Sequence, residues 1–348
     1  MSFRTRLQRL LREERAAVAV TITLLLTGLA GLTGAATDLG MLYTARTELQ
    51  NAADASALAA ADVMLVVEAD GSASTDSAGA WTTATQYAQA NEALGVPLSL
   101  LAEDYVIGRW DFDTDSFSST GDSGNPDDLT AVQVTLRRDD VANTPVSTMF
   151  AGIVGQSQVN VQATSLAFLG YAGSAKAGEV DLPIAVDEMA LNPNGSPLCG
   201  KAIEFHSEND ENGSWTTFFD WPTNDPTVKK YVKGQKEIPA LEVGDDINII
   251  NGNLSNNTFG ALKDRFDAAN DASGGAGWEV LLPVYKSGGN SGAVEVVGFA
   301  KMLILDVQPA PDKNILGQLQ CGKILPDSAT GGTDFGTRAT NPKLISLN

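Results

Sequence analysis

The stretch that decides the architecture is MSFRTRLQRLLREERAAVAVTITLLLTGLAGLTGAATDLGMLYTARTELQNAADASALAAADVML, Met1–Leu65. It opens on a basic cap, residues 1–15, where Arg4, Arg6, Arg9, Arg12 and Arg15 outnumber Glu13 and Glu14. Ala16–Thr37 then carries no charge. At ~1.5 Å rise per residue this segment makes about 33 Å of helix, enough to cross the hydrocarbon core of a bilayer. Arginines before the segment, with Asp38 and Glu48 after it, predict a cytoplasmic N-terminus and a bulk that lies outside. The expected protein is single-pass, with residues 16–37 as its transmembrane helix. A cleaved signal peptide is the competing reading, because Gly34-Ala35-Ala36 resembles a small-residue cleavage site. The apolar run exceeds the ~7–15 residues of a usual signal core, which favours a retained anchor.

The helix is predicted to continue past the membrane. Leu39, Leu42, Ala45, Leu49, Ala52 and Ala53 recur at three- and four-residue spacing, and no proline falls between Ala16 and Val67. A nearly continuous helix of about 50 residues would reach about 75 Å. Inside the span, Thr27, Gly31 and Ala35 form a small-xxx-small stripe, a candidate packing face in lipid.

Further residues carry a family resemblance. They are the basic run ending in Glu13-Glu14-Arg15, the apolar span, Asp38-Leu39-Gly40 with Tyr43 and Arg46, and LQNAADASALAAA from Leu49 to Ala61. In this order they resemble the N-terminal module of TadE/TadG-like proteins of the tight-adherence (Flp) pilus system. The resemblance implies a non-enzymatic subunit, minor pilin-like or accessory, that assembles or anchors a pilus. It would sit in the bacterial inner membrane and contact other pilus-assembly or pilin subunits through its first helix. One feature departs from pilins. Ala16 and Ala17 follow Arg15, and no Glu lies within Ala16–Thr37, so prepilin-type processing is not expected. TadG-like members often carry a von Willebrand A domain.

Composition narrows the alternatives. A net charge of −20 argues against nucleic acid and anionic lipid surfaces as partners of the exported part. With two cysteines and one histidine, a structural zinc site is not expected. Cys199 and Cys321 each stand in a Cys-Gly-Lys triplet. In an oxidising compartment they are disulfide candidates, the alternative being two separate buried thiols.

The chain reads as α+β. After the long helix a polar break at Gly71–Ser77 precedes a second helix, about Ala80–Leu94, which Gly95 and Pro97 would stop. Strands are predicted at Tyr105–Trp110, at the alternating Val132, Val134 and Leu136, and at Val159–Phe168, with a short helix after Pro145. Residues 38–170 would thus form an extended helix with a small pilin-like α+β domain. AGSAKAGE, Ala172–Glu179, reads as a linker within 171–181. Residues 182–348 read as a mostly-β domain with strands at Ala202–His206, Trp215–Phe219, Ile247–Ile250, Val280–Val284 and Val294–Val307. One helix there, Phe259–Ala269, would bury Phe259, Leu262 and Phe266. Pro283 argues for an edge or bulged strand.

Few residues point to chemistry, and no catalytic or cofactor-binding set is expected. Asp111, Asp113 and Asp115 are spaced as in a calcium loop. Position six is Ser116 where Gly is wanted, and position twelve is Asp122 rather than Glu, so only weak calcium binding would follow. Asp70-Gly71-Ser72-Ala73-Ser74 matches the pattern of a metal-dependent adhesion site but lacks the α/β rhythm downstream. Together these two motifs are the basis of an alternative reading, a surface adhesin or cation-dependent binding module. Gly121-Asp122-Ser123-Gly124 and Gly289-Asn290-Ser291-Gly292 echo a serine-protease loop. The single histidine, His206, does not complete a triad with either. Lys229, Lys230 and Lys233 around Tyr231 read as a surface turn.

Overall fold

The first proline is Pro97, and α1 runs unbroken over 62 residues, Phe3–Met64, in the computed structural model. It is about 93 Å long at 1.5 Å per residue. Residues 3–69, 72–111, 114–121, 129–206, 212–250, 254–288 and 291–346 are described. The chain divides into two compact units, each assembled from separate stretches. The expected succession of one domain, a linker and a second domain is not the observed grouping.

The first unit comprises residues 1–56, 84–105 and 134–165. Of the residues spaced for one face of α1, Ala45, Leu49, Ala52 and Ala53 are fully buried, whereas Leu42 is half-buried and Leu39 is exposed. Helix α2 (Ser77–Gln89) ends earlier than expected. Short strands Glu92–Ala93 and Val96–Pro97 follow it, joined through Leu94 and Gly95. Both turn residues have positive φ, 48° and 72°, the twist that a tight hairpin demands. Glu48 of α1 accepts the Leu94 N–H at 2.7 Å, which ties this hairpin to the long helix. Arg138 is buried and donates to the carbonyls of Ala93, Asn143 and Pro145. Strands Val146–Ser147 and Gln158–Val159 pair antiparallel and enclose a 3-10 turn, Ala151–Val154, where a short helix is predicted.

The second unit comprises residues 57–83, 106–133 and 166–348. Its centre is a ring of five strands: β1 (Ile184–Asp187), β2 (Gly213–Phe218), β3 (Asp246–Ile250), β4 (Trp278–Tyr285) and β5 (Ser291–Gln308). β1 pairs with β2, β2 with β3, β3 with β5 and β5 with β4, all antiparallel. A parallel pairing of β4 with β1 closes the barrel. Closure leaves none of the five as an open edge. The 18 residues of β5 make this possible, since residues 291–295 serve β3 and residues 296–304 serve β4. Beyond them, strand Asn314–Gln320 pairs with β5, and strand Ala202–His206 pairs with Asn314–Gln320.

Both faces of the barrel wall are buried. In β4, Val280, Leu282 and Val284 enter one core with Phe259, Leu262 and Phe266, while Leu281 and Tyr285 enter another with Ile247 and Phe299. Helices α3 (Asp225–Val232) and α4 (Asn256–Ala272) cover the first core. Asn224 and Ser255 cap these helices, their side chains accepting the N–H groups of Thr227 and Thr258. Pro283 is opposite Phe299, next to a register shift at Val284/Tyr285. The bulge is therefore where the proline signals it, although β4 is not an edge.

Two expectations are corrected by this unit. The stretch Ala172–Glu179 is not an open linker. Its Ser174–Ala175 pairs with Leu241–Glu242, and Ala172 and Ala175 are buried. Lys229 and Lys230 are not in a surface turn but in the last turn of α3, where their charge complements the helix dipole. Tyr231 between them and Lys233 is buried.

Candidate functional site

Residues 17–37 of α1 are exposed within the protein, with Gly34 the exception among them. Leu24, Leu25, Leu26, Leu29 and Leu32 are 59–73% exposed. Such a surface is unfavourable in water and suited to lipid. The helix is long and apolar enough to cross a membrane. Its polar side chains are also suited to that setting. Thr21, Thr23, Thr27, Thr33 and Thr37 each donate their hydroxyl to the carbonyl four residues back, at 2.8–2.9 Å, so none brings an unsatisfied hydroxyl into the span. Thr27, Gly31 and Ala35 are all exposed. A Cβ at Gly28 or Gly31 would meet nothing within 4 Å. The stripe is open to a neighbouring backbone.

At the end of the uncharged segment one face of α1 is covered. Gly34 and Asp38, one turn apart, are buried. The Asp38 carboxylate accepts the backbone N–H groups of Met149, Phe150 and Ala151 at 2.8, 2.9 and 2.7 Å. These donors lead into the 3-10 turn Ala151–Val154. The Phe150 ring lies against Gly34 so closely that a Cβ there would be 2.0 Å from Cγ. Only glycine admits the ring, and a carboxylate one turn later fixes the loop that carries it. Further along α1, Leu39, Tyr43 and Arg46 form a shallow groove with Val161.

Residues 16–63 match the TadE/G-like Flp pilus-assembly family. The match covers the apolar span, Asp38 and the buried alanine face of α1. It stops before the hairpin Leu65–Val67/Ala73–Thr75 and leaves the rest of the chain unassigned. No curated protein matches the chain, and no solved structure does. The TadE/G-like module and its exposed apolar helix together support a pilus-assembly membrane protein.

The other candidate residues do not converge with this module. Cys199 and Cys321 are joined in a disulfide with their Cα atoms 5.5 Å apart. The repeated Cys-Gly-Lys has a local cause. Gly200 and Gly322 both take positive φ, 73° and 68°, as each chain turns away from the bridge. Asp113 lies outside the described residues. Asp111 accepts the Thr114 N–H at 3.1 Å in a local turn, and Asp115 follows in the left-handed region at φ 51°. Among the described residues no group of three His, Cys, Asp or Glu side chains is placed to hold a metal ion. Asp70 and Gly71 lie outside the described residues. Ser74 is on a hairpin strand and donates to Glu68 at 2.5 Å. Ser123 is likewise not described. His206 aligns through Asn314 with Gln308 at one end of β5, whereas Ser291 begins the other end.

Sequence reasoning missed Asp38 and Glu48 as anchors for distant backbone. One signal was available: Asp38 is the first charge after the uncharged segment, one helical turn after Gly34.

Proposed function

We propose that the protein is a non-enzymatic, single-pass subunit that assembles or anchors a tight-adherence pilus, in a minor pilin-like or accessory role. The observation that carries this reading is the two-part character of α1. Its exposed apolar half runs without a break into a half with a fully buried small-residue face, and the family match spans both. The basic cap keeps the N-terminus in the cytoplasm, and the chain after Thr37 stands beyond the inner membrane. Residues 27, 31 and 35 dock against the helix of a neighbouring pilus subunit. With small side chains on both sides, backbones approach closely enough for packing to drive association in lipid.

The test combines topology with proximity. A photo-cross-linking amino acid at Gly31 in cells carrying the pilus genes is expected to capture a pilus-assembly or pilin subunit. The N-terminus should be intact in the inner-membrane fraction, with the C-terminus open to protease from the periplasm. A mature chain beginning near Thr37 and recovered from the medium would overturn the proposal.

A further inference from the structure

Val141–Ala175 contains no Asp, Glu, Lys or Arg, in a chain whose net charge is −20. Within the first unit, the part of this stretch held by Asp38 presents apolar side chains outward. Met149 is 67% and Ile153 80% exposed. Isolated exposed apolar residues are common on any surface. These two differ in where they are fixed. Their loop is bonded to Asp38, the first residue after the uncharged segment, and its Phe150 lies on Gly34, inside that segment. At 1.5 Å per residue, Gly34 is about 6 Å below Asp38 along the helix. The loop is therefore held at the depth where α1 leaves lipid.

We infer that Met149–Ile153 is a second membrane contact of this protein. Met149 and Ile153 enter the boundary between headgroups and acyl chains of the leaflet from which α1 emerges, while Asp38 and Gly34 set their depth. This rests on α1 spanning the membrane. The backbone suits such a place, where irregular structure survives only with its polar groups satisfied. Asp38 accepts the N–H groups of residues 149, 150 and 151. Those of Ile153, Gly155 and Gln156 go to carbonyls of Phe150, Gly152 and Ala151. No charge within the loop resists entry, and a depth of about 5–10 Å is usual for apolar side chains that lie in an interface. One helix passing through a bilayer is free to tilt and rotate about its axis. A second contact on one side restricts both, and so fixes the direction in which Thr27, Gly31 and Ala35 face within the membrane.

The test uses the full-length protein in vesicles of phosphatidylethanolamine and phosphatidylglycerol at low protein density. Because both native cysteines are in the disulfide, a spin label attaches only at an introduced thiol. Ile153→Cys, Leu25→Cys and His206→Cys are compared for collision with oxygen, which favours lipid, and with a nickel chelate, which favours water. The label at 153 is expected to favour oxygen, less strongly than that at 25, while that at 206 favours nickel. Adding Asp38→Ala should raise nickel collision at 153 several-fold and leave 25 unchanged. Lipid character at 25 with a water-like 153 would overturn the inference and spare the spanning reading. Water character at 25 would overturn both. A label at 153 shielded from both probes would mean that protein covers the loop, and would overturn the assignment to lipid.

Discussion

Asp38 shows how much one side chain holds when its partners are backbone. Removing the carboxylate leaves three N–H groups without their acceptor, and an unmade bond of this kind costs about 1–3 kcal/mol. Asp38→Ala should therefore speed amide hydrogen exchange at Met149, Phe150 and Ala151 by about ten- to a hundredfold, with the buried amides of β4 unchanged. Asp38→Asn, which keeps one acceptor oxygen, should fall between. A second carboxylate gives a pH-dependent prediction. Burial pulls the Asp220 pKa up, but hydrogen bonds from Lys236 and Tyr231 outweigh it and hold the group below its ordinary range. A carboxylate depressed in the folded state contributes stability above its unfolded pKa, about 3.9, and loses it as pH falls through the folded value. Urea midpoints of Asp220→Asn should lie below those of the parent at pH 7. The gap should close as pH falls below about 4.

At the scale of elements, the exposed span invites a substitution that leaves the fold intact. A side chain at Gly31 would meet nothing, so Gly31→Leu should insert and fold normally. Cross-linking from Leu24 to a neighbouring pilus subunit should drop several-fold, because leucine holds the backbones apart. Unchanged cross-linking would move the packing face elsewhere on α1. Elements were legible in the sequence where a periodic pattern met a single buried face. The strand Ala131–Arg138 alternates as its burial does, and α4 buries Phe259, Leu262 and Phe266 as predicted. Short elements were misread for a physical reason. Ala172 and Ala175 carry so little apolar surface that a buried strand of alanine, glycine and serine has the composition of a linker. In α3, the lysines on the outer face obscured Val228 and Val232, which are fully buried on the inner one.

For the whole molecule, class was legible and closure was not. Strands buried on both faces lose their period of two, so the run Val280–Tyr285 announced a strand but not its neighbours. Nothing local marks that β4 returns beside β1. The disulfide acts at this same scale. It links residues 122 apart, and the loop-entropy relation gives about 4–5 kcal/mol for such a closure. Chemical denaturation of Cys199→Ser/Cys321→Ser in detergent should show roughly that loss, while helical signal from the span persists. The spacing of Asp38 and its partners has a consequence for biogenesis. Asp38 waits for donors 111–113 residues downstream. On the topology proposed above, the chain after α1 crosses the membrane in order, and that carboxylate lacks its partners at the bilayer surface until Ala151 has crossed. During that interval the charge opposes backward slippage of the helix. On that topology, once the loop arrives the same charge becomes the clasp that holds it, with residues 152–348 still to follow.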